Sequence, residues 1–185
     1  MSIASPPRNT TRNVIGVFVA DGVDLDFKRL DRHTFVSSSC GLCGKISLDA
    51  VRRRFAPIVS GVRMDAPVLA QLPDKLRAQQ TAFARTGRLH AAGVFDLDGK
   101  LIVSREDIGR HNAVDKDLGH GLLNGLLPYD RHVLIVSGRA SFEIRRKALA
   151  GRLPIIAAVS CPSSVAVEFA KASRQTLAGS YAATG

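Results

Sequence analysis

Two nearly continuous apolar runs, residues 132–137 and 154–160, stand on either side of one helix-length segment. A strand without polar alternation is covered on both faces, and a helical spacer between two such strands marks a parallel pair with a crossover. Residues 141–151 form that spacer, and residues 163–177 read as a further helix. Upstream, residues 89–97 and 100–104 flank Asp98-Gly99, the strongest short-range hairpin signal. A hairpin followed by parallel strands predicts an α/β fold: a three-layer α/β/α sandwich on a mixed sheet.

Residues 112–127 place Val114, Leu118, Leu122 and Leu126 at four-residue spacing and meet Pro128 just beyond, which predicts a helix over that range. Residues 67–86 are also helical in pattern, with Pro73 inside. The main helix is expected to start at Pro73-Asp74, after a separate turn, and to close at Gly87. Nearer the start, residues 14–20 read as a strand ending in an Asp21-Gly22 turn, and residues 46–55 as a ragged helix. Residues 1–13, with Pro6-Pro7, read as a flexible N-terminal arm, which leaves 14–185 as a single α/β domain. At 185 residues, 45% apolar and 23% charged, the chain suits one domain with one core.

In open α/β sheets, ligands sit beyond the carboxyl ends of the strands. The segments that follow strands here are Ser137-Gly138-Arg139-Ala140-Ser141, Ser160-Cys161-Pro162-Ser163-Ser164 and Glu106-Asp107-Ile108-Gly109-Arg110-His111-Asn112. Each leads into a helix whose free N–H groups and positive dipole end favour phosphate, and Arg110 and Arg139 add bidentate donors. Ser137, Ser163 and Ser164 read equally well as plain N-caps, and His111 as a core or capping histidine.

Cys40 and Cys43 lie three positions apart in Ser37-Ser38-Ser39-Cys40-Gly41-Leu42-Cys43-Gly44-Lys45, with Arg52, Arg53 and Arg54 downstream. A thiol ionises more readily in a Cys-x-x-Cys pair, near cations or at a helix N-terminus. Haem attachment would need His after Cys43, where Gly44 stands. Zinc needs about four ligands, and the one further cysteine, Cys161, is far away in sequence. A thiol redox or sulfur-carrying site is the leading reading, beside zinc and beside two small residues buried in a tight turn.

The formal charge of +10 calls for an anionic partner. With 5% aromatic residues and no tryptophan, the chain lacks the stacking platforms of a nucleic-acid binder, whereas a phosphate-rich small ligand fits. No apolar stretch reaches the roughly twenty residues of a membrane span and no hydrophobic signal core opens the chain, so a cytoplasmic protein is expected. Three cysteines do not resemble a disulfide framework.

Five motifs can now be taken in order. They are Ser38-Ser39-Cys40-Gly41-Leu42-Cys43-Gly44-Lys45, Thr86-Gly87-Arg88-Leu89-His90-Ala91-Ala92, the run from Glu106 through Arg110-His111-Asn112 to Asp115-Lys116, Ser137-Gly138-Arg139-Ala140-Ser141-Phe142-Glu143 and Val159-Ser160-Cys161-Pro162-Ser163-Ser164. Together they resemble the formate dehydrogenase accessory sulfurtransferase family from about Phe35 to Gly179. The resemblance implies a cytidine-deaminase-like core, a homodimer, and a role in maturing formate dehydrogenase. Sulfur would arrive from a cysteine desulfurase as a persulfide on Cys40, with Cys43 its companion. It would pass to the metal of the molybdenum bis-pyranopterin guanine dinucleotide cofactor.

The same resemblance implies that Gly87, His90, Gly109, Arg110, His111, Asn112, Ser137, Gly138, Arg139, Ser141, Ser160 and Ser163 hold the guanine dinucleotide, with GDP as a surrogate. No metal site of the chain's own is implied. A cofactor-holding chaperone without sulfur transfer is the alternative. Three departures stand out. The family's portion before the equivalent of Val14 is missing, which reads as a shortened copy; Arg88 stands where the family carries a second glycine; Cys161 stands where alanine is usual. Deamination is disfavoured, because His90-Ala91-Ala92 lacks the proton-shuttling glutamate and the Cys-x-x-Cys lies upstream.

Overall fold

The computed structural model describes residues 21–22 and 55–179. The arm at 1–13, the strand at 14–20, the cysteine loop and nearly all of the helix expected at 46–55 lie outside the described residues. Asp21 and Gly22 form the expected turn, with Gly22 at φ +84.

From residue 66 the elements run α1 (Ala66–Gln79), α2 (Thr81–Thr86), β1 (His90–Asp96), β2 (Leu101–Asp107), α3 (Arg110–Leu123), β3 (His132–Arg139), α4 (Phe142–Ala150), β4 (Ile155–Ser160), α5 (Ser164–Ser173) and β5 (Thr176–Gly179). The sheet order is β2-β1-β3-β4-β5. β1 pairs antiparallel with β2 and with β3, while β3, β4 and β5 run parallel. The mixed sheet is therefore as expected, with the Asp98-Gly99 hairpin at one side and Gly99 at φ +77.

Strand residues alternate between two cores. Ala92, Val94, Leu134, Val136, Ile156 and Ala158 face α3 and α4 through Ala113, Val114, Ile144 and Ala148. On the opposite face, Ala91, Phe95, Val133, Ile135, Ile155 and Ala157 meet Leu69, Leu72 and Leu76 of α1. Helix α5 joins the first layer by packing on α4, where Leu149 and Phe169 share a cluster and the Phe142 and Phe169 rings meet edge to face at 5.0 Å. Three layers result: helix, sheet, helices. Among the described residues no helix is long and apolar enough to cross a membrane.

Four boundaries differ from the sequence expectation. Helix α1 runs straight through Pro73 and breaks at Gln80 instead. Burying Leu69, Leu72 and Leu76 contributes about 2 kcal/mol each, which outweighs the roughly 3 kcal/mol that a mid-helix proline costs. Strand β2 continues past residue 104 to Asp107, so Glu106 and Asp107 are strand residues rather than loop. Helix α3 covers Arg110–Leu123 rather than 112–127. A four-residue step overshoots the helical repeat by about 40°, so the Val114-Leu118-Leu122 row rotates off the core and leaves Leu122 exposed, while Leu126 lies beyond the helix end, past the left-handed Gly125. Finally, the segment at 163–177 is not one helix: α5 stops at Ser173, Arg174 turns left-handed at φ 55, and β5 follows.

Candidate functional site

Topology brings the motif-bearing segments to one edge of the sheet. Because β1 is antiparallel to its neighbours, its first residue, His90, pairs with Asp107 at the end of β2 and lies beside Gly138 near the end of β3. Arg139 pairs with Ser160 at the end of β4, and Gly179 at the end of β5 abuts Pro162. The strand ends 107, 139, 160 and 179 and the strand start 90 thus share that edge. The N-termini of α3, α4 and α5 open from three of those strand ends, within two to four residues.

The turn into α3 is built by Asp107. Gly109 is the N-cap but has no side chain to cap with, and the Asp107 carboxylate substitutes: Oδ1 accepts from Gly109 N at 2.8 Å and from Asn112 Nδ2 at 3.1 Å. Lys116 Nζ lies 2.6 Å from Asp107 Oδ2 and donates to Glu106 O at 3.0 Å. Lys116 first, then the Gly109 N–H, hold the Asp107 carboxyl down at about 2, so it stays charged. The Asn112 amide nitrogen is committed to this turn.

His111 reaches from α3 to α4. Its Nε2 lies 3.0 Å from Ser141 Oγ and 2.9 Å from Glu143 Oε2. Burial pushes its pKa down, against an opposing pull from Glu143, and the neutral Nε2–H tautomer suits both acceptors. Ser141 and Ser163 are N-caps of α4 and α5, accepting from Ile144 N at 3.4 Å and Ala166 N at 3.3 Å. Ser163 is the plain cap that the sequence allowed, Ser141 caps where no such role was expected, and both helix N-termini are directed to the common edge.

Between β3 and β4 the register slips by one residue across Ser137-Gly138. A bulge of this kind redirects the chain next to a site. Ser137 Oγ accepts from Ala91 N at 2.8 Å, and a Cβ on Gly138 would meet the His90 ring at 3.4 Å and Arg110 Cδ at 3.9 Å. These are ordinary van der Waals distances, so Gly138 marks where β3, β1 and α3 come together rather than a position that only glycine can fill.

On the α1 side of the edge lies a cleft of about 580 Å³. Gly87, His90 and Ser137 line it together with Arg77, Gln80, Phe83, Arg88 and Val159. The Arg77 guanidinium sits 4.1 Å from the centre of the Phe83 ring. Of the residues expected from the sequence, Gly87, His90 and Ser137 are thus in the cleft. Gly109, Arg110, His111, Asn112, Gly138, Arg139, Ser141, Ser160 and Ser163 are ranged along the same edge outside it, and Cys40 and Cys43 lie outside the described residues. Arg77, Gln80 and Phe83 escaped sequence reasoning, since a helix face carries no mark of the cleft it will border.

Chemically the edge suits a polyanion. Arg77, Arg88 and His90 supply cationic or donor groups in the cleft, Arg110 and Arg139 supply them beside it, and three helix N-termini add the positive ends of their dipoles.

The FdhD/NarQ family model matches residues 8–184. The chain is 52% identical over 174 residues to the "Sulfur carrier protein FdhD" of Streptomyces avermitilis, covering 92% of this chain and 62% of that protein. To the protein of the same name from Mycobacterium tuberculosis it is 49% identical over 170 residues, covering 91% and 62%. The chain thus spans just over three fifths of the length of these relatives. A crystal structure of a formate dehydrogenase accessory protein from Desulfotalea psychrophila aligns with a TM-score of 0.63 at 28% identity, over 71% of this chain and 55% of that one. The sheet edge, its loops and both cysteines all fall inside the matched range, and the chain belongs to the FdhD/NarQ family.

Proposed function

We propose that this chain is a sulfur carrier in formate dehydrogenase maturation, with Cys40 as the persulfide-bearing residue and Cys43 its companion. The observation that carries the reading is the family match across residues 8–184, which spans both cysteines and every edge loop. The relatives' shared name, sulfur carrier protein, supports the transfer role. The Cys40 thiolate attacks the outer sulfur of a desulfurase persulfide, forming a new S–S bond while the donor cysteine leaves as a thiolate. Attack of the Cys43 thiolate on Cys40 Sγ then breaks the persulfide bond, releasing the outer sulfur at the sulfide level to the client as the two cysteines close a disulfide that a cellular thiol reductant reopens. The client, a molybdenum bis-pyranopterin guanine dinucleotide, is substrate rather than resident cofactor.

The residues of the edge fit that client. Its phosphates match the cationic cleft and the helix N-termini, and Phe83 offers an aromatic face within the same cleft. The proposal includes action as a cytoplasmic homodimer, with a cysteine desulfurase and formate dehydrogenase as protein partners.

Incubation with a cysteine desulfurase and cysteine, followed by intact mass measurement, tests the transfer role. The protein gains the mass of one sulfur, removable by reductant, and Cys40→Ala gains none. Retention of the adduct by Cys40→Ala would overturn the assignment. A chain that binds the nucleotide but takes up no sulfur would be a holding chaperone instead.

A further inference from the structure

Among the described helices, α2 alone buries none of its side chains. Apolar burial therefore does not fix its place. Two contacts from outside the helix do. From the end of β2, the Glu106 carboxylate accepts from Ala82 N at 2.9 Å and from Phe83 N at 2.7 Å, the second and third N–H groups of α2. From α1, Arg77 stacks on Phe83. At both ends the chain leaves helical geometry, at Gln80 (φ −81, ψ 64) and at Gly87 (φ +67).

This loosely packed turn and a half borders the cleft. Phe83 lies on α2, and Gly87, Arg88 and Leu89 follow it directly, all of them lining residues. We propose that Glu106 is a positioning residue for the cleft: by holding α2 from the strand end, it sets the place of Phe83 and Arg88 and so the grip on an anionic ligand. The proposal rests on the reading of the cleft as part of the nucleotide seat. Glu106 also occupies the positive end of α2, which leaves Arg77, Arg88 and His90 to meet the phosphates.

A carboxylate spanning two N–H groups has no equal substitute. Glutamine keeps one acceptor oxygen and turns an amide donor toward the second N–H; alanine keeps neither. The test compares wild type, Glu106→Gln and Glu106→Ala by GDP titration calorimetry and by amide hydrogen exchange at Ala82 and Phe83. In Glu106→Ala exchange at these two amides accelerates while Val94 and Leu134 in the sheet stay protected, and GDP affinity falls about tenfold, the effect of losing a cap contribution of about 1.4 kcal/mol. Glu106→Gln falls between wild type and alanine in both readouts. Unchanged exchange at Ala82 and Phe83 in Glu106→Ala overturns the proposal, and so does faster exchange with unchanged affinity. Failure of wild type to bind GDP instead overturns the nucleotide reading, and the exchange rates then still decide whether Glu106 holds α2.

Discussion

Asp117 lies on α3 with no exposure to solvent, and neither of its carboxylate oxygens accepts a hydrogen bond among the described residues. Burial pushes its pKa up from 3.8 to about 9, against a weaker downward pull from Arg105. The acid is therefore neutral at pH 7. Because the folded state holds this proton more tightly than the unfolded state, its contribution to stability is complete below pH 3.8. That contribution is lost as pH rises toward about 9, at up to about 1.4 kcal/mol per unit. Urea unfolding at pH 5 and pH 8 checks this: wild type loses stability between the two, and Asp117→Asn loses less. Asp107 acts in the opposite sense. Its lowered pKa gives stability that is present above 3.8 and lost as pH falls through about 2. In sequence neither role was visible, since both are acids in a polar run; burial without a partner neutralises Asp117, and Lys116 with the Gly109 N–H keeps Asp107 charged.

At the scale of elements, α3 shows where periodicity misleads. Its core stripe is Ala113, Val114, Asp117 and Gly121, not the leucines that follow. Gly121 is there because the Tyr129 ring lies on it: a Cβ would come 2.5 Å from Oη and 2.7 Å from the ring carbons. Gly121→Ala is expected to lower stability by about 2 kcal/mol, the overpacking cost exceeding the helix-propensity gain of about 1 kcal/mol, and thermal unfolding measures the balance. A stripe made of alanine, aspartate and glycine is invisible to any search for apolar spacing. The capping of α2 was equally hidden, because the carboxylate that accepts from its N-terminus, that of Glu106, is more than twenty residues away on another element. The start of strand β5 was absorbed into α5 because Leu177 continues a plausible helical pattern, while the left-handed turn that ends the helix is made by Arg174, not glycine. By contrast, β1, β2, β3 and β4 were legible, since residues covered on both faces must be apolar and a hairpin needs its Asp-Gly turn.

For the whole molecule, segments that are far apart in sequence meet because β1 starts where β2, β3 and β4 end. A nucleotide seated there should touch several of them together. In an NMR titration GDP is expected to shift amides near His90, His111 and Arg139 in concert, with the far ends of the strands near Asp96 and His132 unaffected. Shifts confined to one loop, or no shift, would remove the edge from the reading. The strand-end rule already pointed to this edge from sequence. The cleft on its α1 side was not foreseen, because its lining is drawn from a helix face, a helix break and the short segment that leads into β1.

Three helices roof one side of the sheet, while α1 and the six-residue α2 share the other with extended chain. Among the described residues, α1 supplies more of the lining of the hollow than any strand, with Phe83 added from α2 and only His90, Ser137 and Val159 from the sheet. Substitutions at Arg77, Gln80 or Phe83 would reshape the hollow that Ser137 and Val159 also line without altering a single sheet residue. Ligand preference can therefore drift through the covering helices while the hydrogen-bonded platform beneath stays constant.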